Sequence, residues 1–545
     1  MKNYLLVLLS SSLLILSFPY TGSFTPFVFI GLVPLFLLRQ QFLASVKQPW
    51  KLGLWTYLAF LFWNLGTTWW VANASVSGGI FAFTVNALLM TLVFGLWSFI
   101  DRKIQTRYSF FMLIPIWLLF EFGHHRWDLS WPWLSFGNYF SVRTGWIQWY
   151  EWTGTLGGSA WVLLVNILIF RLYNVYRIVA IRNQYLFTIL GILLLPIVTS
   201  QVLQKFALTS FQHKQLHAVV VQPNIDPYKE KFTLSASNEA FADSIVVLAN
   251  RHVTAQTDLI MAPETALPLS FQEERLHTFA FGQSLASQVQ KWPQANLLIG
   301  ASTVRIFDYK QSVASTPIPN TNEWYESYNS SMLLTKTAPP QFVHKSKLVP
   351  GVELVPFSAY LPFLSAIAIE NGGSSGTLGV EKKPKVMTIK VKPNKLQKDP
   401  TNKAQNVTLA PIICYESIYG DFVRQQVEQG AQALCVITND GWWGNTPGYK
   451  QHFSFARLRA IENRRWVLRS ANTGTSGSID PSGKIIKKTP YWVKTAFSQT
   501  IQLRSNQTFY TTYGDWLAGL SISWILMGFS IFLQQLSRNS RKLQA

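Results

Sequence analysis

Long apolar runs, seldom interrupted by charged residues, make up most of the first two hundred positions of the chain. They lie at about 4–20, 25–39, 52–72, 79–100, 108–122, 157–172 and 184–203, and another, 516–534, lies near the C-terminus. A helix that spans a bilayer needs about 20 such residues, so the pattern predicts eight membrane helices. The first run also resembles a signal peptide because Lys2 precedes it, but it lacks a clear small-residue cleavage site and is taken as a helix.

Basic residues cluster after every second apolar run. They are Arg39, Lys47, Lys51, Arg102, Lys103, Arg107, Arg171, Arg177, Arg182, Arg538, Arg541 and Lys542. Because short loops rich in Lys and Arg stay in the cytoplasm, both chain ends are expected there. The polar segment 207–512 is then expected outside the cytoplasm, in the periplasm of a bacterium. The Trp-rich loop 127–152 falls on the same outer side, either as an interfacial anchor or as part of the floor of a lipid-facing site.

Within 207–512, short strand-like runs alternate with amphipathic stretches. Strands are expected at 216–222, 258–262, 296–301, 330–334, 407–413 and 433–438, and helices at 236–252 and 271–290. Such alternation indicates a layered α/β domain. The Lys- and Gly-rich segment 372–403 breaks the pattern: residues 386–391 suit a strand that pairs with the run at 407, and the rest suits either a solvated loop or a contact with anionic headgroups.

Composition strengthens the membrane interpretation. Of the 545 residues, 49% are apolar and only 13% charged, and the formal net charge of +21 suits an anionic partner. With 22 Trp and so many apolar runs, acidic phospholipid is favoured over nucleic acid. Cys414 and Cys435 fall in different predicted strands, so a disulfide is not expected. The eight His are scattered rather than spaced as metal ligands.

Three segments that follow strands each carry one titratable side chain, namely Glu264, Lys345 and Cys414. A thiol with a pKa of about 8.5 is mostly protonated at neutral pH, so a nucleophilic Cys needs a base and a nearby positive charge. Glu264 suits the base, and Lys345 suits the charge that stabilises a thiolate and then an oxyanion. Each also has a structural interpretation: Glu264 at a helix N-terminus, Lys345 on the surface and Cys414 packed in a core.

The residues around these positions resemble a known family. Pro263-Glu264, the Lys345 segment and Cys414-Tyr415-Glu416 resemble the Glu-Lys-Cys triad of the nitrilase, or carbon-nitrogen hydrolase, superfamily. With the helical frame, the likeness extends over nearly the whole chain to the bacterial apolipoprotein N-acyltransferase family. Supporting motifs are Val221-Gln222-Pro223-Asn224-Ile225, Trp131-Pro132-Trp133-Leu134, Asn439-Asp440-Gly441-Trp442, Arg457-Leu458-Arg459-Ala460-Ile461-Glu462 and Asn472-Thr473-Gly474.

Two departures from the family pattern lie shortly after Lys345. Lys347 stands where the family commonly has His, and Gly351-Val352-Glu353 replaces the usual Phe-Gly-Glu. They leave open whether Lys345 or Lys347 is the triad lysine, and the register favours Lys345.

The resemblance implies a polytopic α-helical membrane domain at 1–206, an extracytoplasmic nitrilase-like α/β layered sandwich (αββα) at 207–512, and an eighth membrane helix with a cytoplasmic tail at 513–545. It implies that Cys414 is the acylated nucleophile, Glu264 the general base and Lys345 the oxyanion stabiliser. Supporting or substrate-binding positions would be Glu353, Tyr415, Glu416 and Trp442. No metal or other cofactor is implied.

The implied reaction moves an acyl chain from a membrane phospholipid, through a thioester on Cys414, to the N-terminal amine of a diacylglyceryl-cysteine apolipoprotein. The enzyme would be a monomer in the bacterial inner membrane. Two alternatives stay open. One is a membrane-anchored amidase or nitrilase that uses the same triad with water as acceptor. The other is a non-enzymatic lipid-binding scaffold in which Cys414 only packs.

Overall fold

The computed structural model describes residues 2–44, 49–106, 108–207, 214–231, 233, 237–361, 363, 376–391 and 405–544. The chain forms two compact units. The helical unit combines Met1–Ala72, Val76–Gln204 and Tyr513–Ala545, and the sheet unit combines Asn73–Ser75 with Lys205–Thr512.

The α-helices in the described residues are α1 (Asn3–Ser17), α2 (Val33–Ala44), α3 (Pro49–Thr68), α4 (Val76–Ile104), α5 (Leu113–His124), α6 (Tyr150–Val175), α7 (Val179–Ala207), α8 (Asn238–Asn250), α9 (Ala280–Lys291), α10 (Gly420–Glu428), α11 (Pro447–Asn463), α12 (Phe509–Tyr513) and α13 (Trp516–Gln544). Every apolar run picked out from the sequence is helical over most of its length. By length and composition, four stretches could cross a membrane: Thr25–Leu43, Val76–Ile104, Tyr150–Val175 and Val179–Ala207. Shorter apolar helices are Asn3–Ser17, Ser109–His124 and Trp516–Ile531.

The Trp-rich loop is mostly part of the core of the helical unit. Trp133, Phe136 and Tyr139 are fully buried, whereas Trp127 and Trp152 are exposed. The Phe136 ring stacks on Trp63 of α3 at 5.4 Å. An interfacial belt can therefore include only a minority of these aromatic residues. Composition cannot separate the two cases, because Trp and Tyr also fill cores.

The β-strands in the described residues are β1 (Gln215–Gln222), β2 (Leu259–Met261), β3 (Leu267–Gln272), β4 (Asn296–Phe307), β5 (Thr316–Pro317), β6 (Trp324–Leu334), β7 (Gln341–His344), β8 (Met387–Val391), β9 (Gln405–Ile413), β10 (Ala433–Thr438), β11 (Val467–Ala471), β12 (Gly477–Ile479), β13 (Ile485–Lys488) and β14 (Thr495–Gln502). One sheet has the order β14-β1-β2-β4-β6-β5, with β3 beside β4 and β7 beside β6. The other sheet has the order β13-β12-β11-β10-β9-β8.

The two sheets face each other, and helices cover their outer faces. Alternate residues of a strand point to opposite faces. On β1, Val220 packs into the core between the sheets, together with Ile413 and Cys435. Its neighbour Val221 packs into a second core formed with α8 and α9. With α10 and α11 against the other sheet, the layers are helix, sheet, sheet, helix, and the expected αββα sandwich is confirmed.

All six strands expected from the sequence form, but several others were not anticipated. The helix expected at 271–290 is wrong at its start, because β3 continues to Gln272 and a 3-10 turn (Glu273–Thr278) precedes α9. The strand expected at 386–391 is confirmed as β8, antiparallel to β9. Residues 372–375 and 392–403 of the Lys- and Gly-rich segment lie outside the described residues. Both Cys414 and Cys435 are free thiols, as expected.

Candidate active site

Polar side chains lie at or just beyond the ends of four strands, at one edge of the sandwich. Lys345 directly follows β7 and Cys414 directly follows β9, while Glu264 lies three residues beyond the end of β2. Asn439 follows β10, which is parallel to β9. Strand ends are where side chains leave a sheet for a cleft, and hydrogen bonds join these four segments.

Lys345 lies between two carboxylates. Its Nζ is 3.1 Å from Oε1 of Glu264 and 2.8 Å from Oε1 of Glu353, and all three side chains are buried. Asn329 of β6 donates through Nδ2 to the same two oxygens, at 2.8 Å and 3.0 Å. Asn329 lies in none of the motifs that the sequence analysis singled out. These contacts keep the ammonium charged, because the carboxylates outweigh burial and raise the pKa of Lys345 well above its usual value.

Lys347 has a different environment. Its Nζ lies 5.2 Å from the centre of the Tyr419 ring, a cation–π distance. Its backbone N–H points to Glu416 at 3.4 Å. Of the two candidate lysines, the structure therefore places Lys345 beside the carboxylates.

Glu264 is held at both oxygens. Besides the contacts of Oε1, its Oε2 accepts a hydrogen bond from the backbone N–H of Asn439 at 3.0 Å. Burial alone would favour the neutral acid, but Lys345 and the Asn329 amide hold the pKa of Glu264 below its usual value. Gly300 of β4 permits the close approach of this loop, since a Cβ there would lie 2.6 Å from the Glu264 Cα. The carboxylate is thus ionised and held in place, a state that suits a general base.

Lys231 is a second buried lysine, and the sequence interpretation missed it. Its Nζ donates to the backbone oxygen of Glu264 at 3.1 Å and contacts the Thr265 hydroxyl at 2.5 Å. Burial lowers the pKa of Lys231 to about 7, although the charges of Glu264 and Cys414 act in the opposite direction. No motif marks this position. The only sequence signal is that Lys231 lies six residues after Ile225, which ends the motif at the end of β1.

Cys414 has a backbone conformation that is rare for a residue with a side chain. Its φ is +51°, in the left-handed region, which costs roughly 1–2 kcal/mol outside glycine. Its carbonyl accepts a hydrogen bond from the Ser417 hydroxyl at 2.7 Å. Burial and the Glu264 charge raise the pKa of the Cys414 thiol, while Lys345 and the Thr438 hydroxyl act to lower it. The resting site therefore holds a thiol and a carboxylate rather than a thiolate and an acid.

The two residues that follow Cys414 lie in different environments. Glu416 links two segments, because Oε2 accepts from the Ile413 N–H at 2.7 Å and Oε1 from the Ser346 N–H at 2.5 Å. Burial raises the pKa of Glu416 to about 7. Tyr415 is buried, with its ring edge-on to Tyr419.

Trp442 is half-buried, and its contacts include Tyr228. The two rings meet edge-on at 5.2 Å, and the Tyr228 hydroxyl donates to the Trp442 carbonyl at 3.1 Å. The structure therefore brings together Glu264, Lys345 and Glu353 by direct contact, and it joins Glu416 to the Lys345 segment.

Hydrogen bonds between Asn472 and Ile225 join two of the sequence motifs near the site. Asn472 donates from Nδ2 to the Ile225 carbonyl at 2.7 Å and accepts at Oδ1 from the Ile225 N–H at 3.0 Å. Among the residues that the structure describes, no three His, Cys, Asp or Glu side chains converge as metal ligands. The side chains of Glu264, Lys345 and Cys414 can themselves supply acid–base and nucleophilic chemistry.

Two family models match the chain. Residues 218–509 match the family model for carbon-nitrogen hydrolases, which defines the sheet unit as a nitrilase-like domain. Residues 10–168 match the model for the apolipoprotein N-acyltransferase N-terminal domain.

Relatives extend the match over both units. The apolipoprotein N-acyltransferase of Chlorobaculum tepidum is 30% identical over 522 residues, which cover 94% of this chain and 93% of that one. The Pasteurella multocida protein of the same name is 26% identical, with 94% of each chain covered. The solved structure of Saccharomyces cerevisiae Nit3, a nitrilase-superfamily member, is 16% identical, covers 55% of this chain and 93% of its own, and has a TM-score of 0.35. The chain belongs to the apolipoprotein N-acyltransferase family and is an enzyme.

Proposed function

We propose that the protein transfers a fatty acyl chain from a membrane phospholipid to the N-terminal amine of a diacylglyceryl-cysteine apolipoprotein, through a thioester on Cys414. The observation that carries the proposal is the contact of Lys345 with Glu264 and Glu353 at the edge where Cys414 leaves its strand. The names of the full-length relatives support the acceptor.

In the first step, Cys414 attacks the ester carbonyl of the phospholipid while its proton passes to Glu264. Negative charge then develops on the carbonyl oxygen, and Lys345 stabilises it. The C–O bond of the ester breaks, and the departing oxygen takes the proton from Glu264. The products are a lysophospholipid and an acyl-thioester on Cys414.

In the second step, the acceptor amine attacks the thioester carbonyl and gives a proton to Glu264. The C–S bond breaks, an amide forms and the proton returns to the sulfur of Cys414. Glu353 and Asn329 do not react in this scheme. They hold Lys345 and Glu264 in place, so that little reorganisation is needed when charge develops.

Both substrates carry lipid chains, so a membrane setting is part of the proposal. We infer eight membrane helices, a catalytic domain on the periplasmic side of a bacterial inner membrane, and a monomeric enzyme. The basic residues after alternate helices support the orientation.

A transfer assay with purified protein tests the proposal. The donor is phosphatidylethanolamine in mixed micelles, and the acceptor is a synthetic diacylated lipopeptide. We expect a triacylated product from the unaltered enzyme and from Cys435→Ala, which removes the other buried thiol, and none from Cys414→Ser. Release of free fatty acid or ammonia without acylated peptide would favour a hydrolase, and undiminished transfer by Cys414→Ser would contradict the proposed nucleophile.

A further inference from the structure

A cluster of fully buried polar side chains lies beneath the turn that carries Cys414. Asp440 follows β10, His452 lies on α11 and Arg469 lies on β11, and each is at most 1% exposed. Burying charged groups is costly unless they pair with one another. Three separate elements of the chain thus contribute to one charged group in the core, and the transfer chemistry described above uses none of them directly.

The cluster is tightly paired. Arg469 donates from Nη1 to Oδ2 of Asp440 at 2.9 Å and from Nη2 to Oδ1 at 3.0 Å, a two-point contact. His452 Nδ1 lies 2.9 Å from Asp440 Oδ1. Burial alone would favour the neutral acid, but Arg469 and His452 hold the pKa of Asp440 well below its usual range. The imidazole is therefore held on its Nδ1 side by the ionised carboxylate of Asp440 and by Arg469, whose Nη2 lies 3.0 Å from the same nitrogen.

The other imidazole nitrogen faces the nucleophile turn. His452 Nε2 lies 2.9 Å from the Ser417 hydroxyl oxygen and 3.2 Å from the Cys414 carbonyl oxygen. Ser417 has one hydroxyl hydrogen, which it donates to that same carbonyl. The Ser417 hydroxyl oxygen and the Cys414 carbonyl oxygen therefore both face Nε2 as acceptors. Nε2 must then carry a proton that it donates to them. The Cys414 carbonyl receives hydrogen bonds from Ser417 and His452 together.

We propose that His452, oriented by Asp440 and Arg469, is a positioning residue for the acylation of Cys414. Its Nε2–H, together with Ser417, fixes the peptide that follows Cys414 and so maintains the left-handed backbone that presents the thiol. This inference rests on the proposed function, because it concerns the reactivity of the same sulfur.

The expected effect is on rate rather than on lipid binding. A reacting atom displaced by about 1 Å loses on the order of 100-fold in rate. The hydrogen bonds of His452 go to the Cys414 turn and to Asp440, and its ring lies edge-on to Trp443 at 5.5 Å, a contact that both amide variants below lose equally. Loss of the Nε2 donor should therefore lower the acylation rate and leave the KM for phospholipid within about threefold.

Replacing His452 by Gln or by Asn distinguishes a positioning role of this residue from a packing role. The Nε2 of a Gln side chain can occupy nearly the position of the imidazole Nε2, whereas the shorter Asn reaches only the Nδ1 position. His452→Gln should therefore acylate within about tenfold of the unaltered enzyme, and His452→Asn should be slower by about 100-fold. Lys450→Gln, on the same helix, serves as the matched control.

The measurement is the single-turnover rate of Cys414 acylation by phospholipid micelles, followed by mass spectrometry of the intact protein, with the melting temperature recorded for each variant. Equal rates for the Gln and Asn variants, whether both normal or both low, would overturn the proposal. Ser417→Ala removes one donor and leaves the buried cluster in place. It should slow acylation by about tenfold at an unchanged melting temperature, and an undiminished rate would also overturn the proposal.

The same experiment separates this inference from the proposed function. If the unaltered enzyme forms no acyl adduct on Cys414, the proposed function fails. If the adduct forms at the same rate in His452→Asn, only the positioning role of His452 fails.

Discussion

The ammonium of Lys345 lies 3.1 Å from Oε1 of Glu264, and both side chains are buried. Since Glu353 approaches the same nitrogen at 2.8 Å, two carboxylates surround one cation. A charge placed in this way has little freedom to move, and it can act on an oxyanion without reorganisation.

Replacing the two candidate lysines in turn should give very different results. Lys345→Met removes the oxyanion partner and leaves two carboxylates facing each other, so the acylation rate should fall by about 100-fold or more. Lys347→Met removes a cation–π contact with Tyr419 and leaves the Lys345 ion pairs in place, so it should change the rate by no more than a few-fold. Single-turnover acylation of Cys414 measures both, and a larger loss in Lys347→Met would reverse the assignment.

Asn329 should set the pH range of activity. Its amide donates to Glu264 and Glu353, so Asn329→Asp replaces a donor with a third carboxylate. The pKa of Glu264 should rise, because like charges disfavour ionisation. The acidic limb of the pH profile of kcat/KM should then move upward by about one unit or more.

The matched control for this change is Asn406→Asp, at an exposed position of β9. Its pH profile should coincide with that of the unaltered enzyme. An Asn329→Asp profile with an unshifted acidic limb would mean that the Glu264 base does not govern that limb.

Lys231 should make stability depend on pH. Burial lowers its pKa in the folded state to about 7, and an unfolded lysine titrates near 10.4. Between these values the unfolded chain binds more protons, so the free energy of unfolding contributed by Lys231 rises with pH, by up to about 1.4 kcal/mol per unit. Below pH 7 both states hold the proton and the contribution is constant.

Thermal unfolding of Lys231→Met measures this dependence. The stability of the unaltered protein relative to the variant should increase from pH 7 to pH 10, while the same comparison with Lys229→Met, at an exposed position, should stay flat. A relative stability that falls over this range would contradict the buried, easily deprotonated state of Lys231.

The candidate site residues were predictable from the sequence because they directly follow apolar strands or lie close beyond them. The runs 258–262 and 407–413 were recognisable as strands, and Glu264 and Cys414 were then placed by strand geometry. The resemblance to the nitrilase superfamily supplied Glu353, which no periodicity indicates. The register favoured Lys345 over Lys347, and the side-chain contacts agree with that choice.

The residues that escaped detection are polar groups whose partners are distant in the chain. Arg469 lies on β11, a short strand that a hydrophobic pattern does not reveal because a fully buried guanidinium interrupts it. Its partner Asp440 is 29 positions away. Asn329 and Lys231 are likewise defined by contacts with Glu264 or its loop, and such pairing depends on the sheet order rather than on local sequence.

The central claim is that Cys414 carries the acyl chain as a thioester, with Glu264 as its base. Intact-protein mass spectrometry after incubation with phosphatidylethanolamine, without acceptor, tests it most directly. We predict one acyl adduct that is released by hydroxylamine and maps to Cys414, retained in Cys435→Ala and at least 100-fold slower to form in Glu264→Gln. An adduct on another residue, or normal acylation of Glu264→Gln, would contradict the account.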